Sequence, residues 1–356
     1  MIRSISPYYI TTPFVSANTS LTCTSYTLSI FIWDGLKASV PATASIQQTK
    51  NNPTGSTGND KVNIANLIQD YLEFTPQSAS VTSVIDGNNQ YWVQTSVTYI
   101  TTNSADATTA QEVFTSLYGL GYSTGIEGEN VVTVPNNLLI SQDYFKINKS
   151  GSFVVPILLD ESVTKTGSII SYPNNNINIT ISEAATTTSS ELVKYIWIKT
   201  SEAGSDTYID VVYDGTTVRL MVTNELKYTP YDVVFQNKAG AEQIITFFKE
   251  RTDSISIKKT SFESDRGQAS AGNHQFVTTS VQARADFKLN TGFIEEENNE
   301  MIKQLLMSER VWLYDGTNMI PLEVGKLSQE WKTQLKQKLI NYEMDFKYAY
   351  NEINNT

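Results

Sequence analysis

The chain of 356 residues has one cysteine, one histidine and little charge, with Asp, Glu, Lys and Arg together at 18%. Each shortage removes a class of function. Cys23 alone cannot build a disulfide framework or a structural zinc site that needs several thiolates, and it reads as a small hydrophobe. His274 alone leaves little room for a Ser-His-Asp or Cys-His arrangement, which requires a base within hydrogen-bond reach of the nucleophile. It sits in Ala-Gly-Asn-His-Gln-Phe and reads as a hydrogen bonder in a glycine-containing turn. No Gly-Lys-Ser or Gly-Lys-Thr phosphate loop occurs, and no strand-linked GxGxxG.

Long apolar runs are missing too. The most apolar stretch, Phe153 to Leu159, contains Pro156 and is far too short to span a bilayer, and the residues after Met1 offer no secretory apolar region. The expectation is a chain made in a cytoplasm, with no membrane insertion. A net charge of −11 removes the basic footprint that phosphate backbones demand, so no direct nucleic-acid binding is expected.

The charge that exists is uneven. Residues 251–356 carry 13 of the 26 basic and 15 of the 37 acidic residues, and no Lys or Arg lies between Lys61 and Lys146. That acidic stretch reads as a solvated polar β surface. Abundant Ser, Thr, Asn and Tyr fit pleated surfaces and turns, pointing to a mainly β chain.

Four Asp-Gly pairs (Asp34-Gly35, Asp86-Gly87, Asp214-Gly215 and Asp315-Gly316) supply the positive φ that two-residue hairpins require. The clearest join Tyr208–Tyr213 to Thr216–Val222, and Val311–Tyr314 to Asn318–Val324. From Tyr342, strict alternation puts Tyr342, Met344, Phe346, Tyr348 and Tyr350 on one face and Asn341, Glu343, Asp345 and Lys347 on the other, a half-buried strand.

Helices are few. Ile294, Met301, Ile302, Leu305 and Leu306 form one stripe, predicting an amphipathic helix over 294–307 with Glu295, Glu296 and Glu297 in its first turn. A short helix is expected at Ile64 to Tyr71, capped by Asn63. Linker-like stretches lie at Lys50 to Asp60, Pro173 to Asn178, Thr186 to Ser190 and Ser261 to Asn273.

Tyr26–Trp33 followed by Leu72-Glu-Phe-Thr-Pro76 has a counterpart in Lys194–Ile198 followed by Leu226-Lys-Tyr-Thr-Pro230. Related tandem β domains or chance matching of aromatic strands both account for it. The expected architecture is tandem β-sandwich-like domains over 1–125 and 126–250, then a C-terminal α+β unit over 251–356 containing one amphipathic helix.

No residue is nominated as catalytic, cofactor-binding or metal-ligating, and no cofactor is expected. Asp206, Asp210 and Asp214 share a strand face but are spaced by about 13 Å at ~3.3 Å per residue, too far apart to hold one cation. Carboxylates for glycoside hydrolysis could come from distant strands, and the 37 acids single out no pair. Trp33, Trp92 and Trp197 lie in strand-like segments whose Ile and Val neighbours favour core packing.

The C-terminal third carries an ordered string of motifs. Asn273-His-Gln-Phe276 is followed by Phe287-Lys-Leu-Asn-Thr-Gly-Phe293, Glu295-Glu-Glu-Asn-Asn299 and Leu305-Leu-Met-Ser-Glu-Arg-Val-Trp312. Then come Ile320-Pro-Leu-Glu-Val324, Trp331-Lys-Thr333, Lys338-Leu-Ile-Asn-Tyr342 and Asp345-Phe-Lys-Tyr-Ala-Tyr350. Upstream stand Tyr231-Asp-Val-Val-Phe-Gln-Asn-Lys-Ala-Gly240 and Phe247-Phe248, and looser pieces occur at Ile32-Trp33-x-Gly35 and Ile64 to Phe74.

Together these motifs resemble tail and baseplate-type virion proteins of bacteriophages infecting Bacteroidetes hosts, including crAss-like phages. The resemblance implies a structural virion protein, a subunit of a tail, baseplate or connector-region ring. Its partners would be itself in a cyclic homo-oligomer and other phage tail or connector proteins, and it would act by assembly, not as an enzyme. Exposed strand edges of the C-terminal unit would then be covered by neighbouring copies. The alternatives are a glycan- or receptor-binding module at a tail tip or virion surface, and a host-surface hydrolase.

Overall fold

The computed structural model describes residues 2–3, 9–13, 23–51, 59–87, 90–101, 105–106, 111–117, 138–159, 163–183, 192–263, 274–325 and 340–354. The chain is mainly β, with β-sandwich-like domains and one amphipathic helix near the C-terminus. It divides into two compact units built from separated stretches, 1–145 with 153–221 and 237–243, and 146–152 with 222–236 and 244–356. This partition is not the consecutive one expected. The 125/126 boundary lies outside the described residues, as do 52–58, 186–190 and 264–273 of the expected linkers and the Trp331-Lys-Thr333 motif. At 250/251, hydrogen-bonded pairing of Tyr231–Gln236 with Val311–Tyr314 draws earlier residues into the C-terminal sheet.

In the first unit, a six-stranded sheet orders its main strands Ile2–Arg3, Gln111–Leu117, Gln90–Thr101, Cys23–Trp33 and Ile46–Asn51. Tyr26, Leu28, Ile30 and Ile32 alternate onto one buried face with Val93 and Val97, and Ile64, Ala65, Ile68 and Leu72 pack against them. The short helix spans only Ala65–Gln69, and Tyr71, expected on its apolar face, is exposed with its hydroxyl on the Ser45 carbonyl at 3.0 Å. Asn63 Oδ1 accepts the Ala65 N–H at 3.2 Å, the local role expected of it, although Ile64 occupies the cap position.

The same unit carries a three-stranded sheet, Ser152–Leu158, Val193–Lys199 and Ser83–Asp86 in that order. A five-stranded sheet orders Tyr144–Asn148, Thr216–Thr223, Tyr208–Tyr213, Lys165–Tyr172 and Asn178–Glu183. Here Asp214 and Gly215 adopt φ of 47° and 78° between the register partners Tyr213 and Thr216, the two-residue hairpin the sequence predicts.

The other Asp-Gly pairs behave differently. Asp34-Gly35 begins a longer connection to Ile46–Asn51, and the strand ending at Asp86 pairs with Val193–Lys199 instead of the strand that follows it. Asp315-Gly316 does close a hairpin, but through four residues, with Asp315 Oδ1 accepting the Thr317 and Asn318 N–H groups at 2.9 and 2.7 Å.

The second unit is organised by an eight-stranded sheet. Its path runs Glu242–Phe247, Tyr231–Gln236, Val311–Tyr314, Met319–Val324, Ile340–Tyr348, Phe276–Ile294 and Thr252–Glu263, with Ile353–Asn354 attached to Phe276–Ile294. Tyr342, Met344 and Phe346 are buried on one face, as alternation predicts. The Phe346 ring stacks on Phe287 at 5.7 Å and meets Phe247 edge-on at 5.6 Å.

The amphipathic helix spans Asn299–Met307, shorter than expected, because Ile294 is still in a strand, opposite Ile340. Met301, Ile302 and Leu305 are buried, and the Tyr342 hydroxyl donates to Asn299 Oδ1 at 2.7 Å, tying helix to sheet. The expected internal similarity does not extend to its second pieces, since Leu72 is buried and Leu226 is 88% exposed.

Candidate functional site

The acidic trio of the hairpin strand disperses. Asp206 is buried and accepts hydrogen bonds from the Ser171 hydroxyl, the Asn174 backbone and side-chain amides at 2.7 and 2.8 Å, and the Asn176 N–H at 3.1 Å. Burial pushes its pKa up, but these donors outweigh that and hold it below the usual carboxylate value. Asp210 forms a two-pronged pair with Arg219 at 2.8 Å on each arm, and Asp214 pairs with Lys165 at 2.9 Å. No group of three or more His, Cys, Asp and Glu side chains is placed to hold a metal among the described residues. His274 is exposed just before the strand Phe276–Ile294.

Trp33, Trp92 and Trp197 are core residues. Trp33 and Trp92 are register partners, and their indole N–H groups donate to the Leu36 and Gly35 carbonyls at 2.9 and 3.0 Å. Trp197 is fully buried in Val193–Lys199.

A cleft of about 290 Å³ opens in the second unit, lined by Tyr228, Lys249, Lys288, Asn290, Phe293 and Glu343 among others. Its cations are already matched. Lys249 pairs with Glu225 at 2.6 Å, and Lys288 lies 3.4 Å from both Glu343 and Asp345. What the cleft still offers is the ring of Phe293, 62% exposed, beside Tyr228 and the Asn290 amide.

The larger exposed feature is the hairpin of Thr252–Glu263 with Phe276–Ile294. Thr252 to Phe262 are all exposed, and the partner strand is exposed from Phe276 to Thr279. The pairs Ile255–Ala285, Ile257–Ala283 and Lys259–Val281 lie on the face that continues inward to Phe287 and Leu289. The opposite face is polar, with Ser254, Ser256 and Lys258 opposite Asp286, Arg284 and Gln282, and with the Ser256 hydroxyl bonded to the Asp286 carboxylate. Thus the core face of the sheet runs out along the hairpin past the residues that cover it.

Ile255 and Ile257 remain 52% and 54% exposed, with Phe262 and Phe276 at 49% and 64%. Full burial of an isoleucine stabilises by roughly 1.5–3 kcal/mol, so about half of that is unrealised at each isoleucine. A two-stranded ribbon is marginal in water without further strands or cover. Among the described residues, no strand pairs with the outer edge of Thr252–Glu263. Sequence reasoning missed this strand, although the alternation Ser254-Ile255-Ser256-Ile257 marks it.

No protein-family model matches the chain, and no curated protein matches it.

Proposed function

We propose that the chain is a structural subunit of a bacteriophage virion, of the tail, baseplate or connector-region ring type, that acts by assembling with copies of itself and with neighbouring virion proteins. The observation that carries this reading is the hairpin of Thr252–Glu263 and Phe276–Ile294, an apolar-faced ribbon whose outer edge pairs with no strand among the described residues. Such a surface is a liability for an isolated chain and an asset for a subunit whose neighbours cover it. The ordered motifs of the C-terminal third supply the virion context.

A second reading, a glycan-binding module, draws on the cleft, where the exposed Phe293 and the half-buried Tyr228 stand beside Asn290. Purified protein separates the readings. Ring-shaped or other defined particles by mass photometry and negative-stain imaging support the subunit; saturable glycan binding by a monomer supports the module. Release of soluble sugar would overturn both in favour of a hydrolase.

A further inference from the structure

We infer that the edge strand Thr252–Glu263 pairs antiparallel with the same strand of a second copy, about a two-fold axis at Ser256. The inference rests on the reading of the chain as a self-assembling subunit and names one of its contacts.

In a two-fold antiparallel pair, directly opposite residues share a sheet face, so the axis must pass through a residue. The pairing of Thr252–Glu263 with Phe276–Ile294 is regular from Thr252 to Thr260 and is broken by a register shift between Thr260 and Ser261. The midpoint of that regular stretch is Ser256. Centred there, Thr252 meets Thr260, Asp253 meets Lys259, Ser254 meets Lys258 and Ile255 meets Ile257, each pair occurring twice. Both half-exposed isoleucines of each copy gain an apolar neighbour, and each Lys259 gains a carboxylate on its own face.

Moving the axis by one residue destroys the match. An axis at Ile255 sets Asp253 against Ile257, and an axis at Ile257 sets Lys259 against Ile255. An axis at Lys258 brings the two Lys258 side chains together. Length, apolar pairing and charge therefore select one register independently. Asp253 is 65% exposed at its side chain while paired with Arg251 at 2.6 Å, so one carboxylate arm stays accessible. Lysines on edge strands commonly discourage association. Here Lys259 instead restricts it to the partner that presents Asp253.

A two-fold contact joins subunits pointing in opposite directions, which differs from the head-to-tail contacts that close a ring. It would pair two rings or two isolated subunits.

The test uses the full chain in sedimentation velocity over a concentration series, at low and at high salt. Lys259→Asp and Asp253→Lys each replace two attractive pairs by two like-charge pairs, and each should weaken the contact about tenfold or more; the double variant should return to near the parent affinity. Parent association that neither single variant weakens overturns the edge register while leaving the subunit reading in place. Single variants that weaken association without rescue in the double variant also overturn the register. A parent chain that stays monomeric throughout overturns both.

Discussion

The carboxylate of Glu242 accepts the backbone N–H of Gln77 at 3.0 Å, and its other oxygen is buried without a hydrogen-bond partner among the described residues. The side-chain carbonyl of Gln77 is buried in the same condition. Burial pushes the Glu242 pKa up to about 8, against 4.5 for an ordinary glutamate. The native state therefore holds a proton that the unfolded chain releases above pH 4.5. Stability from this site is greatest below pH 4.5 and falls as pH rises toward 8, by up to ~1.4 kcal/mol per pH unit. Glu242→Gln removes the ionisation while keeping an oxygen for Gln77. It should be clearly more stable than the parent at pH 8 and similar at pH 4.5, measured by urea unfolding; equal stability at pH 8 would contradict the assignment.

Asp206 gives the opposite dependence. Its donors hold the folded pKa below 3.8, so the stabilisation is present above that value and is lost as pH falls through the folded pKa. Asp206→Ala should lower the unfolding midpoint at pH 6 and flatten the decline on acidification. The carboxylate organises Ser171, Asn174 and Asn176, and the substitution leaves their donors facing an apolar methyl group. A parent and variant with parallel midpoint-against-pH curves would refute it.

Gly167 sits between two strands, opposite Ile181 on one side and Tyr213 on the other. A Cβ at Gly167 would collide with the Val212 carbonyl oxygen, a backbone atom held within the sheet. Gly167→Ala should destabilise by about 1–3 kcal/mol, whereas Ser168→Ala next to it should stay within roughly 0.5 kcal/mol. Comparable melting temperatures for the two variants would show that the strands separate more easily than the register implies.

The parts of the fold legible in sequence are those where one face is buried and the other is wet. Tyr342, Met344 and Phe346 declare their strand because burial alternates with exposure along it. Asp214-Gly215 declares its turn because both residues take positive φ. The same dipeptide at Asp34-Gly35 misleads, since the Gly35 carbonyl serves the Trp92 indole and the chain continues to a later strand. The candidate interface was hidden for a related reason. In a ribbon exposed on both faces the polar-apolar contrast is short, confined here to Ser254-Ile255-Ser256-Ile257, and the rest of Thr252–Glu263 reads as polar surface. Nothing local distinguishes Glu242 from a surface acid; its one hydrogen-bond donor among the described residues, the Gln77 backbone, lies far away in the chain.

Phe346 and Glu343 test the face assignment of the last long strand directly. The Phe346 ring is fully buried between Phe247 and Phe287, while Glu343 points to the other face with Lys288 at 3.4 Å. Phe346→Asp places a charge among these rings, at a cost on the order of several kcal/mol, enough to unfold a marginally stable sheet. The expected outcome is insoluble protein or loss of the cooperative transition. Glu343→Ala removes half of an exposed ion-pair cluster, and Asp345 still holds Lys288, so its stability should change by less than about 1 kcal/mol. If both variants are soluble and melt with the parent, the buried face of Ile340–Tyr348 is misassigned. If Glu343→Ala alone folds normally but fails to assemble, its face meets a neighbouring subunit.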